Sequence, residues 1–235
     1  MLEVRNLVVD HGSLRALWDV SLHVDAGERV GLLGANGAGK STTLGAIVGM
    51  YAPVDGTVSY DGKDITGLPV VRNIADGLVL VPEGRHLFTE MSVRENLEMG
   101  AYTPQARKSV LDTLERIYTL FPILREKASQ RAGELSGGQQ QMVAIGRGMM
   151  SNPRMLLLDE PFLGVAPVII EEVMAALRKL SEEGVTVLLV EQNIHRAMEF
   201  VDRAYVIENG STVLEGSRDN LMSDPDFSNK FLGLQ

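Results

Sequence analysis

Apolar residues alternate with polar ones near the start of the chain and run together further along it. The alternation over residues 2–9 and 17–24 predicts two strands, with a turn at His11-Gly12-Ser13 between them. The uninterrupted apolar run at 155–158 is typical of a strand buried on both faces in a parallel sheet. Further strands are predicted at residues 28–33, 57–60, 77–81, 185–190 and 204–207, and hairpin turns at Asp61-Gly62 and Asn209-Gly210.

A helical period replaces the strand pattern from about Ser92 to Phe121. Ser92 and Glu95 have the spacing of a capping box, which marks a helix start. One face of the predicted helix carries Leu111, Leu114, Ile117, Tyr118 and Phe121. Helices are also expected after residue 41, after residue 167 and in the polar tail from residue 218. We therefore predict a single domain over residues 1–235, with a mostly helical subdomain at about 84–150.

The eight residues that directly follow the predicted strand at 28–33 are Gly34-Ala35-Asn36-Gly37-Ala38-Gly39-Lys40-Ser41. They match GxxxxGK followed by Ser or Thr, in which glycines let consecutive N–H groups turn inward around an anion. Lys40 is expected to supply charge to the terminal phosphates, and the Ser41 hydroxyl is a hard oxygen ligand for Mg²⁺. The alternative is a chance glycine-rich turn, but the flanking strand and helix are the context that the motif requires. The sequence therefore predicts that this loop and Thr42 bind a nucleoside triphosphate.

Two carboxylates, Asp159 and Glu160, directly follow the apolar run at 155–158. Ligands of open parallel sheets bind at the carboxyl ends of the strands. We expect Asp159 to hold Mg²⁺ beside Ser41, and Glu160 to orient or deprotonate the attacking water of a phosphoryl transfer. The alternative is a strand that ends in a solvated acidic turn, and the phosphate loop in the same chain favours the catalytic interpretation.

A second candidate anion site lies at Leu135-Ser136-Gly137-Gly138-Gln139. Ser136 and Gln139 have capping-box spacing, and Gly137 and Gly138 leave the backbone bare at the predicted helix start. Taken alone, this segment is better explained by a capped helix that binds nothing.

The charge and amino-acid composition of the chain limit the kinds of molecule that it is expected to bind. The net charge is −9, the sequence pI is about 5.0 and no Lys/Arg cluster stands out, which disfavours nucleic acid as a partner. The chain has no cysteine, so disulfides and thiolate metal sites are excluded. No apolar run approaches the ~20 residues that cross a bilayer. We therefore expect a cytosolic protein that acts at a membrane only through a partner.

The phosphate loop, Leu135–Gln139 and the segment Leu156-Leu157-Leu158-Asp159-Glu160-Pro161 together resemble the ATP-binding cassette of ABC transporters. The LSGGQ sequence is specific to that superfamily among phosphate-loop proteins, and the resemblance covers essentially the whole chain. It implies an α/β fold of the P-loop NTPase class, with a RecA-like core, an antiparallel β subdomain and a helical subdomain. It also implies a head-to-tail dimer, in which Ser136, Gly137 and Gly138 of one subunit approach the γ-phosphate of Mg-ATP held by the other.

Other segments are similar to the LivF type of ATPase subunit from branched-chain amino acid importers. They are Val81-Pro82-Glu83-Gly84-Arg85, Arg94-Glu95-Asn96-Leu97, Leu120-Phe121-Pro122, Gly164-Val165-Ala166-Pro167 and Val190-Glu191-Gln192-Asn193. This resemblance implies an ATPase at the cytoplasmic face of the membrane that energises uptake of branched-chain or other hydrophobic amino acids. The implied partners are a second ABC ATPase subunit, two membrane permease subunits and, indirectly, a solute-binding protein.

Four positions depart from the general ABC pattern. Glu83 stands where the Mg²⁺-contacting loop usually carries Gln, and Gln192 stands where a His usually senses the γ-phosphate. His11 matches the aromatic residue that stacks on adenine in many cassettes, and Phe162 replaces a Ser. The resemblance thus implies Glu83 as a metal ligand and Gln192 as a catalytic residue. Nearby His195 is interpreted as an ordinary surface histidine.

Two alternative functions remain open from the sequence. One is the ATPase subunit of a urea or amide importer, and the other is a soluble ABC ATPase acting on ribosomes or DNA. The single cassette, the acidic charge and the lack of a long coiled-coil insertion argue against the second.

Overall fold

The structure is a computed structural model and describes residues 1–227 and residue 231. The strands are β1 Leu2–His11, β2 Leu14–Val24, β3 Arg29–Leu33, β4 Asp55–Tyr60, β5 Lys63–Asp64, β6 Leu78–Val81, β7 Met155–Asp159, β8 Thr186–Glu191, β9 Arg203–Glu208 and β10 Ser211–Ser217. The helices are α1 Lys40–Val48, α2 Val70–Ala75, α3 Val93–Glu98, α4 Pro104–Lys108, α5 Val110–Leu120, α6 Pro122–Glu126, α7 Gly137–Met149, α8 Pro167–Glu182, α9 Ile194–Met198, α10 Arg218–Ser223 and α11 Pro225–Phe227, with a 3₁₀ helix at Ala132–Glu134. Within the described residues, no helix combines the length and apolar character needed to span a bilayer.

The chain forms two units, one from residues 1–73 and the residues from 186 onward, the other from residues 74–185. In the first unit, β1 pairs antiparallel with β2 and β4, while β3 lies between β8 and β9 in parallel. Leu2 and Val4 of β1 are buried, as their alternation predicts, and a register shift after Val4 places Leu7 on the buried side as well. β3 has neighbours on both sides, and burial of its apolar residues explains why that strand shows no alternation.

The hairpin of β9 and β10 turns at Asn209 (φ 48°) and Gly210 (φ 75°), as the sequence predicts. A Cβ at Gly210 would lie 2.5 Å from the carbonyl oxygen of Ala16. The Gly210 N–H donates to the Ala38 carbonyl at 2.9 Å, and the Gly210 carbonyl accepts from the Trp18 N–H at 2.8 Å. The turn therefore connects the phosphate loop to β2.

In the second unit, β6 and β7 form a parallel pair in which Leu78 lies opposite Met155 and Val81 opposite Leu158. All of β7 is buried, which confirms the interpretation of the apolar run. α7 packs against β6, α3 and α8. Both predicted capping boxes form, at Ser92 before α3 and at Ser136 before α7.

The stretch from Ser92 to Phe121 is helical only in pieces. α3 ends at Glu98, Thr103 and Pro104 start α4, and Ser109 separates α4 from α5. Four of the five residues predicted on one helix face are buried, whereas Leu111 is 67% exposed. Thr113 is buried instead, and its hydroxyl donates to Asn152 Oδ1 at 3.0 Å. The predicted helical tail is confirmed through α11, and residues 228–230 and 232–235 lie outside the described part.

Candidate nucleotide-binding site

The glycine loop joins the carboxyl end of β3 to α1, the arrangement that the motif requires. Gly39 has φ 108°, and a Cβ there would lie 2.5 Å from Leu17 Cδ2. Gly37 has φ 80° with open space around it. A cavity of about 500 Å³ lies between the loop, the end of β9 with the following Asn209, and Phe231. Its lining residues are Gly34, Ala35, Asn36, Gly37, Ala38, Ile207, Glu208, Asn209 and Phe231. Exposed backbone at Ala35 to Gly37 opens onto this space, which suits the phosphate groups of a nucleotide.

Lys40 is buried, and its ammonium group lies over the loop. Its Nζ donates to the Gly34 carbonyl at 2.9 Å and to the Ala35 carbonyl at 3.1 Å. These bonds hold a positive charge within the concave face of the loop. The hydroxyl-bearing Ser41 in the first turn of α1 is exposed, and Thr42 is half-buried.

His11 and Gln192 lie near the same loop in the first unit. His11 Nε2 is 3.2 Å from the Thr42 hydroxyl, and the Tyr51 ring meets the His11 ring edge-on at 4.6 Å between centroids. Because Leu33 pairs with Glu191, Gly34 and Gln192 leave neighbouring parallel strands at one edge of the sheet. Gln192 is exposed there, so the unit brings together the sequence-predicted adenine, phosphate and γ-phosphate residues.

Glu83, Asp159 and Glu160 share an edge of the second unit. Since Val81 lies opposite Leu158, the chain segments that carry these residues leave β6 and β7 at the same end. Asp159 is buried at the end of β7, and Glu83 is exposed. Glu160 is half-buried and has φ 46°, an unusual conformation for a residue with a side chain and one that often occurs at functional sites.

The Leu135–Gln139 segment also lies in the second unit, and it starts α7. The Ser136 hydroxyl accepts from the Gln139 N–H at 3.4 Å, while Gln139 Oε1 accepts from the Ser136 N–H at 3.1 Å. A Cβ at Gly138 would lie 2.7 Å from the side chain of Ile169. Close packing at Gly138, together with exposure of Ser136, leaves a helix start that can accept an anion.

Magnesium suits the donor atoms at these positions. Ser41, Glu83 and Asp159 offer hydroxyl and carboxylate oxygens, the hard ligands that Mg²⁺ prefers. Among the described residues, no group of three or more His, Cys, Asp or Glu could hold a metal ion by itself. A nucleotide-bound Mg²⁺ needs only one or two protein carboxylates, because phosphate oxygens and water complete its shell.

Sequence reasoning missed Tyr51 and Arg147. Tyr51 packs against His11 although forty residues separate them in the chain, and the pattern around it gives no signal of that contact. Arg147 donates to backbone carbonyls of the loop after β6. Its one signal in the sequence is a spacing of seven residues from Gln140 on a predicted helix, which places both on one helix face.

The chain matches the family model described as ABC transporter over residues 17–163. It is 43% identical over 233 residues to BraG, the high-affinity branched-chain amino acid transport ATP-binding protein of Pseudomonas aeruginosa, covering 99% of this chain and 100% of the relative.

Solved structures agree with the family match. An ATP-binding cassette of an ABC transporter in its ADP conformation superposes with a TM-score of 0.84 at 31% identity, covering 100% of this chain and 99% of that one. A dimeric cassette in a post-hydrolysis state with ADP and Pi gives 0.80 at 28% identity, covering 93% and 99%. With its glycine loop and its capped helix start, the chain belongs to the ABC transporter family as an ATP-binding cassette, an ATPase of the P-loop NTPase fold.

Proposed function

We propose that this chain is the ATPase subunit of an importer for branched-chain or other hydrophobic amino acids. The observation that carries the proposal is the 43% identity to BraG over the full length of both chains. The segments around Glu83, Gly164 and Gln192 that resemble the LivF type support it. The subunit is proposed to sit peripherally on the cytoplasmic face of the membrane.

The proposed roles follow from the chemistry of each side chain. Lys40 neutralises phosphate charge, and backbone N–H groups of residues 34–42 bind the phosphate oxygens. Mg²⁺ takes oxygen ligands from Ser41, Glu83 and Asp159. Glu160 acts on the attacking water as general base. Gln192 donates a hydrogen bond to the γ-phosphate but, unlike His, cannot add positive charge.

The adenine is proposed to stack on His11, whose ring orientation is set by Thr42 and Tyr51. Ser136, Gly137 and Gly138 are proposed to approach the γ-phosphate bound by a second ATPase subunit, as in a head-to-tail dimer. ATP then favours the closed dimer because only that state uses both anion sites, and hydrolysis removes the preference. Two permease subunits and a solute-binding protein complete the proposed transporter.

Transport in proteoliposomes tests the proposed function. The chain is reconstituted with the permease and ATPase subunits encoded beside it, and the solute-binding protein is added outside. We expect ATP inside the vesicles to drive uptake of radiolabelled leucine, with excess valine competing and excess urea not competing. The Lys40→Ala variant is the control for ATP dependence. ATP-driven uptake of radiolabelled urea or an amide, without uptake of leucine, would assign the subunit to the other importer class.

A further inference from the structure

The loop after β6 holds three consecutive residues in the left-handed backbone region, directly after Glu83. They are Gly84 (φ 81°), Arg85 (φ 64°) and His86 (φ 46°). Glycine adopts this conformation freely, but a side chain makes it unfavourable. Two successive residues of this kind persist only where the surroundings fix the backbone. Another part of the second unit must therefore hold the backbone of Arg85 and His86 in this conformation.

Arg147 of α7 binds both of the strained residues through their carbonyl groups. One of its terminal nitrogens donates to the His86 oxygen and the other to the Arg85 oxygen, each at 2.8 Å. A planar guanidinium presents its donors as a fixed fork and can therefore hold two adjacent acceptors at once. The Arg147 Cζ also lies 5.8 Å from the centre of the Phe88 ring. Burial lowers the pKa of Arg147 from its usual high value, but a guanidinium is not deprotonated in proteins.

The same face of α7 contacts the loop a second time, nearer the helix start. Gln140 lies seven residues before Arg147, two helical turns away on the same side. Its Oε1 accepts from Arg85 at 3.4 Å. The Arg85 guanidinium also packs over Gly137, where a Cβ would lie 3.3 Å from it. The loop is thus attached to α7 both at the Ser136–Gly138 end and ten residues further along.

We propose that Arg147 is a positioning residue for nucleotide hydrolysis, because it fixes the backbone that presents Glu83 and attaches that backbone to α7, the helix that starts at Ser136–Gly138. The role of Glu83 as a metal ligand rests on the proposed function. The attachment of the loop to α7 does not. Because α7 is a rigid element, a movement of the Glu83 loop would then also move the helix start at Ser136–Gly138.

Hydrogen exchange of the loop amides tests the attachment without any nucleotide. Arg147→Lys keeps the charge but replaces the fork by a point donor, so we expect exchange at residues 84–88 to rise roughly tenfold. Arg94→Lys is the matched control, because Arg94 pairs with Glu98 at 2.7 Å on the surface of the same unit. Adding His86→Gly to Arg147→Lys removes part of the strain, and we expect it to restore part of the protection. If Arg147→Ala does not fold, Arg147→Lys and the Arg147→Lys/His86→Gly variant still test the attachment of the loop to α7.

The Mg²⁺ requirement tests the positioning role. We expect Arg147→Lys to raise the Mg²⁺ concentration for half-maximal ATPase activity several-fold, and the Arg147→Lys/His86→Gly variant to lower it again. A general loss of stability would reduce the maximal rate without this shift. Equal exchange in Arg147→Lys and Arg94→Lys would overturn the attachment, and a looser loop with an unchanged Mg²⁺ requirement would overturn the positioning role. If the unsubstituted chain does not hydrolyse ATP, the proposed function fails, while the exchange result is unaffected.

Discussion

Gly39 is a position in the phosphate loop that has no room for a side chain. Its backbone is left-handed, and the Leu17 side chain occupies the place of a Cβ at 2.5 Å. Gly37 is also left-handed, but its surroundings are open. The two glycines therefore separate the cost of backbone conformation from the cost of a steric clash.

We predict that Gly39→Ala weakens Mg-ATP binding more than Gly37→Ala does. Both variants incur a conformational cost of about 1–2 kcal/mol, and only Gly39→Ala must also displace Leu17 or shift the loop. An additional loss of roughly tenfold in affinity is expected, measured by calorimetry. Equal affinities for the two variants would show that the contact with Leu17 does not shape the loop.

A second residue-scale prediction concerns the proposed general base. Glu160→Gln keeps the size of the side chain but removes its basicity, so ATP should bind with unchanged affinity while turnover falls roughly 10²- to 10⁴-fold. With hydrolysis blocked, ATP should hold the subunit as a closed dimer, which size-exclusion chromatography detects. Hydrolysis at the unmutated rate would exclude Glu160 as the base.

The helices α3 and α7 each begin with a serine capping box, but only the capping box of α7 has a proposed role in binding nucleotide. Ser92 and Ser136 each accept a hydrogen bond from the residue three positions later. Ser136 alone belongs to the proposed phosphate contact. Because both caps lie in the second unit, one can serve as a control for the other.

We predict that Ser92→Ala and Ser136→Ala lower stability by similar amounts, about 1 kcal/mol each. Only Ser136→Ala should also lower the ATPase rate of the assembled dimer, because it removes a hydroxyl that approaches the nucleotide. Thermal melting and steady-state kinetics measure the two effects. If Ser92→Ala slowed hydrolysis equally, the loss would reflect helix stability and not phosphate contact.

The sequence was informative wherever the signal was local. The strand–loop–helix at β3 and α1, the Asn209-Gly210 turn and both caps depend on neighbouring residues, and each was predicted correctly. Contacts between distant segments were not predictable in this way. Thr113 is buried in place of Leu111 because Asn152 satisfies its hydroxyl, and Arg147 binds carbonyls more than sixty residues away. The site assignments and the helical subdomain at about 84–150 stay predictions.

Across the whole molecule, the stability of this acidic chain depends in part on carboxylates that neighbouring groups keep ionised. Burial alone would raise the pKa of Asp202, but hydrogen bonds from Arg29 and its charge outweigh burial and lower the pKa. The Arg29 backbone N–H and Nε donate to Asp202 Oδ2 at 3.0 and 3.2 Å. Asp202 thereby joins the start of β3 to the start of β9, the strands that precede and support the phosphate loop.

We predict that the stability from this pair is lost in acid. Because the folded pKa of Asp202 lies below its unfolded value of about 3.9, the contribution is complete above that pH and disappears as the pH falls through the folded pKa. The melting temperatures of the unsubstituted protein and Asp202→Asn should therefore differ near pH 6 and converge as the pH falls below the folded pKa of Asp202. In an Arg29→Gln background, Asp202→Asn should make a much smaller difference at either pH. A gap that stayed constant with pH would contradict the assignment.

The β9–β10 turn has a consequence for the protein during its synthesis. The phosphate loop is formed by residues 34–41, but its support comes from much later in the chain, because the Gly210 N–H donates to the Ala38 carbonyl and β9 pairs with β3. Residues 42–210 must therefore be synthesised after the phosphate loop before the loop has this support. A chain that stops before Gly210 would carry the complete motif without these contacts, so we expect it to bind nucleotide more weakly than a chain that includes β9 and β10.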